Sequence, residues 1–298
     1  MNINYLISFL TAIEQNSISK AASSLHLTQS ALSQQLQSIE KNLDSTLLIR
    51  SNKGIELTEE GSIVKNYAES LVNIYENMLK ELDECRKSNI STLKIGACSA
   101  VGQYMLPCTL HLYKKNHDKI KFNLKVEENK RIIDGVLNYT YDIGFIDGKM
   151  DASSLESIDI CSNHMVLVSS SSLNIDKEIL SLEEIIGYPL ILPSSGTAYR
   201  EVIDAMFSVK GIKNPTIEME LDSIEAIKAS ITASQCLSIL PFSSIKKDVY
   251  LKALKKYEIK ENKPSCNISM IYSKKALSRK EINDFIRYIK LYGKETFC

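Results

Sequence analysis

The chain lacks the sequence features that mark secreted and membrane-spanning proteins. Its 298 residues contain no long apolar segment, and no apolar run with a small-residue cleavage site opens the sequence. Its seven cysteines are odd in number and scattered, which argues against a secreted disulfide framework. We therefore expect a cytoplasmic protein that has no membrane partner.

Motifs for catalysis and for metal or cofactor binding are missing as well. The sequence has no Gly-x-Gly-x-x-Gly loop, no Gly-x-Ser-x-Gly elbow and no Cys-x-x-Cys pair. His111 and His117 are too far apart for one helical face to offer both to a metal. We expect no enzyme activity, no cofactor and no metal site.

Basic and acidic residues number 36 each, so the chain as a whole has no positive charge that would attract nucleic acid. Any recognition of nucleic acid must therefore depend on a local surface.

A region near the N-terminus has the pattern of a helix-turn-helix. Apolar residues recur on one side of a helix that Thr28 can cap, at Leu32, Leu36, Ile39 and Leu43. The opposite side of this helix is polar and consists of Gln29, Ser30, Ser33, Gln34 and Gln37. Glutamine can make two hydrogen bonds to an adenine edge in the major groove of DNA. This arrangement favours DNA reading, although any amphipathic helix pair has a similar pattern.

The segment that follows strengthens this interpretation. Residues 47–50 and 55–57 form two short apolar runs that a polar tetrapeptide joins, which predicts a hairpin or wing. Arg50 and Lys53 lie where they could contact phosphates.

A long helix is predicted after the wing. Apolar residues alternate in steps of four and three, as in a coiled-coil seam, at Val64, Ala68, Leu71, Tyr75, Met78, Leu82 and Cys85. A helix that lies on its own domain would show the same pattern. Residues 86–91 then break it and predict a hinge.

The remaining two-thirds of the chain alternates between strand and helix patterns. Strands are predicted at 93–97, 122–126, 141–146, 165–169, 190–192, 218–221, 236–240 and 268–272. Helices are predicted at 101–116, 131–138, 198–209, 224–233 and 278–292. This alternation favours parallel sheets covered by helices, with ligands bound beyond the carboxyl ends of the strands.

Serine and threonine follow several of these predicted strands where a helix begins, at Ser99, Ser195, Thr197 and Ser223. Helix N-termini and adjacent hydroxyls can together hold an anion or carboxylate. Any one of these residues is more commonly an ordinary helix cap than part of a site, and three such junctions at strand ends favour a site only modestly. Cys98 lies in the same region. It could act as a redox sensor, but a small buried packing residue is the more common role of such a cysteine.

Residues 5–67 resemble the N-terminal, DNA-binding domain of the LysR-type transcriptional regulators. The matching motifs are Ser19-x-Ala21-Ala22-x-x-Leu25, Thr28-Gln29-Ser30-Ala31-Leu32-Ser33 and Leu57-Thr58-x-x-Gly61. The resemblance continues to the effector domain through Leu93-x-Ile95-Gly96-Ala97-x-Ser99, Asp142-Ile143-Gly144-Phe145-Ile146-Asp147-Gly148 and Gly196-Thr197-x-x-Arg200-Glu201.

The resemblance implies an α/β protein in three parts. These are a winged helix-turn-helix at 1–60, a dimerising linker helix and hinge at 61–90, and an effector-binding domain at 91–298 similar to periplasmic binding proteins. The last part would have lobe I at 91–161 plus 267–298 and lobe II at 162–266. Residues implied to bind DNA are Thr28, Gln29, Ser30, Ser33, Gln34, Gln37, Arg50 and Lys53. Residues implied to line the effector cleft are Ser99, Ala100, Gln103, Ser195, Thr197, Ser223 and Ile224.

The implied partners are double-stranded DNA at an operator or promoter and a second copy of the chain, as a homodimer or homotetramer. RNA polymerase is a possible further partner. The implied effector is a small metabolite, either an inorganic anion or a carboxylate. Two alternatives stay open, namely a cytoplasmic small-anion-binding protein with a vestigial DNA-binding module and an enzyme fused to a regulatory domain.

One departure from the family concerns charge. Residues 1–60 contain four basic and six acidic side chains, a balance of 4 − 6 = −2. Relatives often carry Arg or Lys where this chain has Gln34, Gln37 and Ser38. Fewer phosphate contacts predict weaker non-specific binding and a shallower salt dependence.

Overall fold

The computed structural model describes residues 2–51, 54–87, 90–148, 154–261 and 264–297. These residues form two compact units. Unit 1 comprises Met1–Ser91 together with Leu137–Tyr141, and unit 2 comprises Thr92–Val136 and Asp142–Cys298.

Unit 1 contains a helix-turn-helix, a hairpin and a long helix. Its elements are α1 (Ile3–Glu14), α2 (Ile18–Ser24), α3 (Gln29–Leu43), β1 (Leu48–Ser51), β2 (Gly54–Leu57) and α4 (Glu59–Lys87). The first three helices begin where Asn2, Ser17 and Thr28 accept hydrogen bonds from backbone N–H groups of the first turn. These caps satisfy donors that have no partner inside the helix.

The core of unit 1 is built from one face of each helix. Leu32, Leu36 and Ile39 of α3 are buried, as the apolar stripe predicts. Leu43, the last residue of the predicted stripe, is 40% exposed. The prediction fails there because Asp44 adopts a left-handed conformation (φ 49°) and ends the helix.

Strands β1 and β2 form the predicted antiparallel hairpin. Leu48 pairs with Leu57 at its base, and Ser51 pairs with Gly54 at its end. Asn16 fixes the hairpin to α1, because its side-chain oxygen accepts a 2.7 Å hydrogen bond from the backbone N–H of Ile55. Lys53, predicted to contact phosphate, lies outside the described residues.

Helix α4 presents two apolar faces. Ala68 and Val72 are buried in the core of unit 1, and Val64 packs against that core. A second stripe is exposed and consists of Ile63, Tyr67, Leu71, Ile74, Met78 and Leu82. The predicted seam is therefore wrong at its start, because Val64 and Ala68 pack on the core of their own unit and not on a second helix. We call the exposed set the α4 stripe.

Unit 2 is an α/β structure. Its strands are β3 (Ser91–Ala97), β4 (Ile120–Val126), β5 (Ile143–Asp147), β6 (Glu156–Ser170), β7 (Ile179–Leu180), β8 (Leu190–Pro193), β9 (Ile217–Leu221), β10 (Leu237–Pro241), β11 (Leu254–Ile259) and β12 (Ser265–Tyr272). Its α-helices are α5 (Leu106–Lys114), α6 (Asn129–Leu137), α7 (Leu182–Ile185), α8 (Ala198–Val209), α9 (Ile224–Thr232), α10 (Phe242–Tyr250) and α11 (Lys280–Thr296). A π-helical turn, Val101–Met105, precedes α5, and a 3₁₀ turn, Lys274–Ser278, precedes α11.

Strand β6 links two sheets. Its first part pairs antiparallel with β12, and from Met165 onward it pairs antiparallel with β10 and β11. We call the sheet β4-β3-β5-β12, with the first part of β6, lobe I. The rest of β6 with β7 to β11 is lobe II. The strand changes lobe between His164 and Met165, three residues after the predicted boundary at 161/162, and β12 belongs to lobe I from Ser265, two residues before the predicted return at 267.

The sheets are mixed, which corrects the prediction of parallel sheets. Strands β3 and β5 are parallel, and β8 is parallel to both β9 and β10. Among the described strands of unit 2, the antiparallel pairs all contain β6 or its neighbour β12. Because β3 and β5 are parallel, their carboxyl ends lie at one edge of lobe I, and those of β8, β9 and β10 share an edge of lobe II.

The single helix predicted at 101–116 is divided. A π-helical turn precedes α5, in which Pro107 occupies the first turn. Proline has no N–H to donate to the carbonyl one turn before it, so a regular α-helix cannot run through this point unbroken.

Candidate functional site

The predicted DNA-reading residues of α3 lie together on its outer face. Gln29, Ser30, Gln34 and Gln37 are exposed, and Ser33 is half-buried. Thr28 is the cap of α3, and its hydroxyl accepts a 3.1 Å hydrogen bond from the N–H of Ala31. The backbone of Arg50 lies in β1.

Two hydrogen bonds fix the position of α3. The hydroxyl of Ser19 donates to the side-chain oxygen of Gln29 (3.3 Å), which joins α2 to the start of α3. The hydroxyl of Ser8 donates to the side-chain oxygen of Gln35 (2.6 Å), which joins α1 to the middle of α3. Sequence reasoning missed Gln35, since its partner lies 27 residues away. The surface is therefore a polar face on a helix held from two sides.

The predicted effector residues of lobe II follow two neighbouring parallel strands. Thr197 caps α8 after β8, and its hydroxyl accepts from the N–H of Arg200 at 3.2 Å. Ser223 caps α9 after β9 and accepts from the N–H of Ala226 at 3.4 Å. Ser195 is exposed and donates to Glu220 at 3.2 Å. These hydroxyls lie at one edge of lobe II because β8 and β9 are parallel neighbours.

The predicted residues of lobe I follow β3. Ser99 is half-buried and Gln103 is exposed. Ala100 is fully buried within a hydrophobic cluster, and most residues of this cluster belong to lobe II. Ile224 is also in that cluster, with 6% of its surface exposed. Ala100 and Ile224 therefore supply packing between the lobes, and the polar groups come from the other predicted residues.

Two hydrogen bonds join the lobes through residues that are close in sequence to these. The hydroxyl of Tyr199 on α8 donates to Asp147 at the end of β5, at 2.6 Å. The hydroxyl of Tyr104, in the π-helical turn, donates to Glu225 on α9, also at 2.6 Å. The two pairs are separated in sequence by 52 and 121 residues, so the sequence gives no signal that joins them.

Asp147 lies in a largely buried site. Burial raises the pKa of its carboxyl group, while the hydrogen bonds from Tyr199 and Cys98 act in the opposite direction. Asn129 holds the residue in place, donating to its carbonyl at 2.8 Å and accepting from its N–H at 3.2 Å. Burial also raises the pKa of the Cys98 thiol well above its usual value. A protonated, buried thiol favours the packing role for Cys98 over the redox role.

The basic side chains near these strand ends are already paired. Arg200 contacts Asp204 at 2.8 Å and Glu220 at 3.0 Å, and donates to the carbonyl of Pro193 at 3.0 Å. Lys228 contacts Glu225 at 2.8 Å and Asp248 at 2.7 Å. Each cation is thus held by two carboxylates. What this edge of lobe II offers a ligand is hydroxyl groups and helix N-termini.

Two kinds of feature are absent from the described residues. Within that part of the chain no helix is long and apolar enough to cross a bilayer. The same residues contain no group of three or more His, Cys, Asp or Glu side chains placed to hold a metal ion.

Family models match both parts of the chain. Residues 3–62 match the model for the bacterial regulatory helix-turn-helix protein of the lysR family. Residues 86–292 match the model for the LysR substrate binding domain.

Curated relatives are similar over nearly the whole length. A probable RuBisCO transcriptional regulator of Phaeodactylum tricornutum is 27% identical, with 94% of this chain and 92% of the relative covered. The HTH-type transcriptional regulator SoxR of Arthrobacter sp. is 29% identical, with 97% of each chain covered.

Solved structures have the same fold. CbnR, described as a LysR family transcriptional regulator, superposes with a TM-score of 0.77 at 18% identity and covers 99% of this chain and 100% of its own. Full-length CbnR complexed with its target DNA gives a TM-score of 0.76 at 20% identity, with 98% and 99% covered. Sequence motifs, both family models and fold agree, and the chain belongs to the LysR family of transcriptional regulators.

Proposed function

We propose that this regulator binds operator DNA through the outer face of α3 and senses a small carboxylate or inorganic anion between lobes I and II. The hydroxyl-capped helix N-termini at the shared edge of β8 and β9 carry the proposal for the effector. Such N-termini bind anions through free N–H groups and a partial positive charge. Ser99 and Gln103 would complete the site from lobe I.

The α4 stripe supports self-association as the second part of the proposal. Its residues recur at intervals of eleven (63 and 74, 67 and 78, 71 and 82). An eleven-residue repeat gives 3.67 residues per turn, close to that of a straight helix. Two copies of α4 can therefore pair along the stripe with little supercoiling. Pairing brings two α3 helices to one operator and raises the local concentration of the second.

The chain acts in this proposal as a regulator and not as an enzyme, and it works in the cytoplasm, where the operator is. Effector binding favours closure of the two lobes, and closure changes the spacing of the paired reading heads on a bent operator. RNA polymerase is a proposed further partner at the promoter.

The effector site is tested by removing two of its hydroxyls together. A Ser99→Ala, Thr197→Val variant is expected to lose the ligand-dependent change in the DNase footprint while still binding the operator. Loss of the Thr197 cap costs about 1 kcal/mol, which leaves the protein folded. Native mass spectrometry of the purified protein identifies the co-purified ligand to use. Ser208→Ala, an exposed change on the same helix, is the control. An unaltered footprint response in the double variant would place the effector elsewhere.

The reading surface is tested at Gln29. Gln29→Ala is expected to reduce discrimination against substituted operators at one base pair by about 1–3 kcal/mol, since a bidentate contact to a base is lost. Binding to scrambled DNA should change little. Lys20→Ala, an exposed basic residue on α2, is the comparison and should weaken all duplexes alike. Uniform weakening by Gln29→Ala would mean that Gln29 contacts only the backbone of the DNA.

A further inference from the structure

Two of the hydrogen bonds between the lobes have a common design. Each joins a tyrosine hydroxyl of one lobe to a carboxylate of the other, at 2.6 Å. Lobe II contributes the tyrosine of one pair, Tyr199, and lobe I that of the other, Tyr104. Neither bond can survive if the lobes separate, because a 2.6 Å contact is lost with a movement of about 1 Å.

Both acceptor carboxylates are held in place from their own lobe. The backbone of Asp147 is fixed by the two hydrogen bonds to Asn129. Glu225 is fixed by Lys228, which also contacts Asp248 and donates to the carbonyl of Ser244 at 3.1 Å. A tyrosine that arrives from the other lobe therefore meets a preorganised acceptor, and little side-chain entropy is lost when the bond forms.

Both pairs are close in sequence to residues of the proposed effector site. Tyr104 follows Gln103 directly, and Glu225 follows Ile224. Tyr199 is two residues beyond Thr197. The Tyr104 ring also packs against the lobe II core, and Lys228 lies 5.4 Å from its centroid. The contacts between the lobes are therefore made by immediate neighbours of the residues proposed to bind the effector.

We propose that Tyr104 and Tyr199 are positioning residues that hold lobes I and II closed and thereby set the affinity for the effector. The closing role follows from the contacts themselves, and its effect on affinity rests on the proposed effector site. A hydrogen bond to a charged acceptor shifts the equilibrium between open and closed lobes by about tenfold or more.

Hydrogen exchange of the full-length protein tests this without any ligand. In Tyr104→Phe and Tyr199→Phe we expect amides in segments 99–104 and 223–228 to exchange about tenfold faster than in the parent protein. Tyr257→Phe is the matched control, since it removes a buried tyrosine hydroxyl that lies 3.3 Å from Ser169 within lobe II. It should leave these two segments unchanged. Equal exchange in all variants, or an equal increase in the control, would overturn the proposal.

A second variant separates closure from general loosening. In a Glu225→Ala background Tyr104 has lost its acceptor, so Tyr104→Phe should add no further increase in exchange. An additive increase would mean that Tyr104 acts through something other than Glu225. The outcome is independent of the footprint experiment on Ser99 and Thr197, so failure of the effector site and failure of the closure proposal can be told apart.

Discussion

Replacing Ile74 with glutamate is expected to weaken operator binding by the full-length chain about 100-fold or more. Ile74 lies in the middle of the α4 stripe and is 43% exposed, so a charge there leaves the fold of one chain intact. In a pair of α4 helices the same charge is buried against apolar side chains without a partner. Loss of pairing removes the gain in affinity that two linked reading heads obtain through their high effective concentration. This gain is generally 10²–10⁴-fold.

Lys80→Glu is the control for this prediction. Lys80 is exposed on the side of α4 away from the stripe, so the same new charge should leave pairing and operator binding nearly unchanged. Analytical ultracentrifugation and operator titrations measure both properties. An Ile74→Glu protein that sediments like the parent would show that the stripe is not the pairing surface.

Gly61→Ala is expected to destabilise unit 1 by about 3 kcal/mol, the upper end for an overpacked site, and to reduce operator binding with it. Gly61 is buried in the first turn of α4, where an added Cβ would overlap the backbone carbonyl of Leu47. Backbone cannot rotate away as a flexible side chain can. The cap at Thr58 holds this turn in place, because its hydroxyl accepts from the N–H of Gly61 at 2.8 Å and donates to Thr46 at 2.7 Å.

Ser62→Ala, one position further along α4, is the comparison for Gly61→Ala. Ser62 is exposed, and its change should alter the free energy of unfolding by less than about 0.5 kcal/mol. Thermal unfolding of both variants, followed by circular dichroism, measures the difference. A Gly61→Ala protein as stable as Ser62→Ala would contradict the close packing of α4 on the β1 segment.

Local patterns predict the helices and strands whose buried face has a clear period. The α3 stripe and the hydrophobic strand residues 165–169 are examples, and both are found in the structure. The elements that the patterns did not predict are the first part of β6, the strands β7 and β11, and the helices α7 and α10. In β6, polar and apolar residues both occur at buried and at exposed positions. The reason is that this one strand belongs to two lobes, which surround it differently.

Patterns along one element cannot show which face another element covers. Helix α4 has apolar residues on two adjacent faces, and only the folded unit shows that Ala68 and Val72 are used by its own core. The pairs Tyr104–Glu225 and Tyr199–Asp147 were missed for a similar reason. Each joins polar residues that carry no local signal and meet only after both lobes have formed.

In the proposed function, an almost uncharged polar face on α3 reads operator DNA. Competition titrations of the full-length protein with its own promoter and a scrambled duplex, across a range of salt concentrations, test it directly. With four basic residues in each copy of residues 1–60, two reading heads predict a slope of log K against log salt no steeper than about −7. We expect this slope together with a clear preference for the promoter at every salt concentration. Equal affinity for both duplexes, even at low salt, would contradict it.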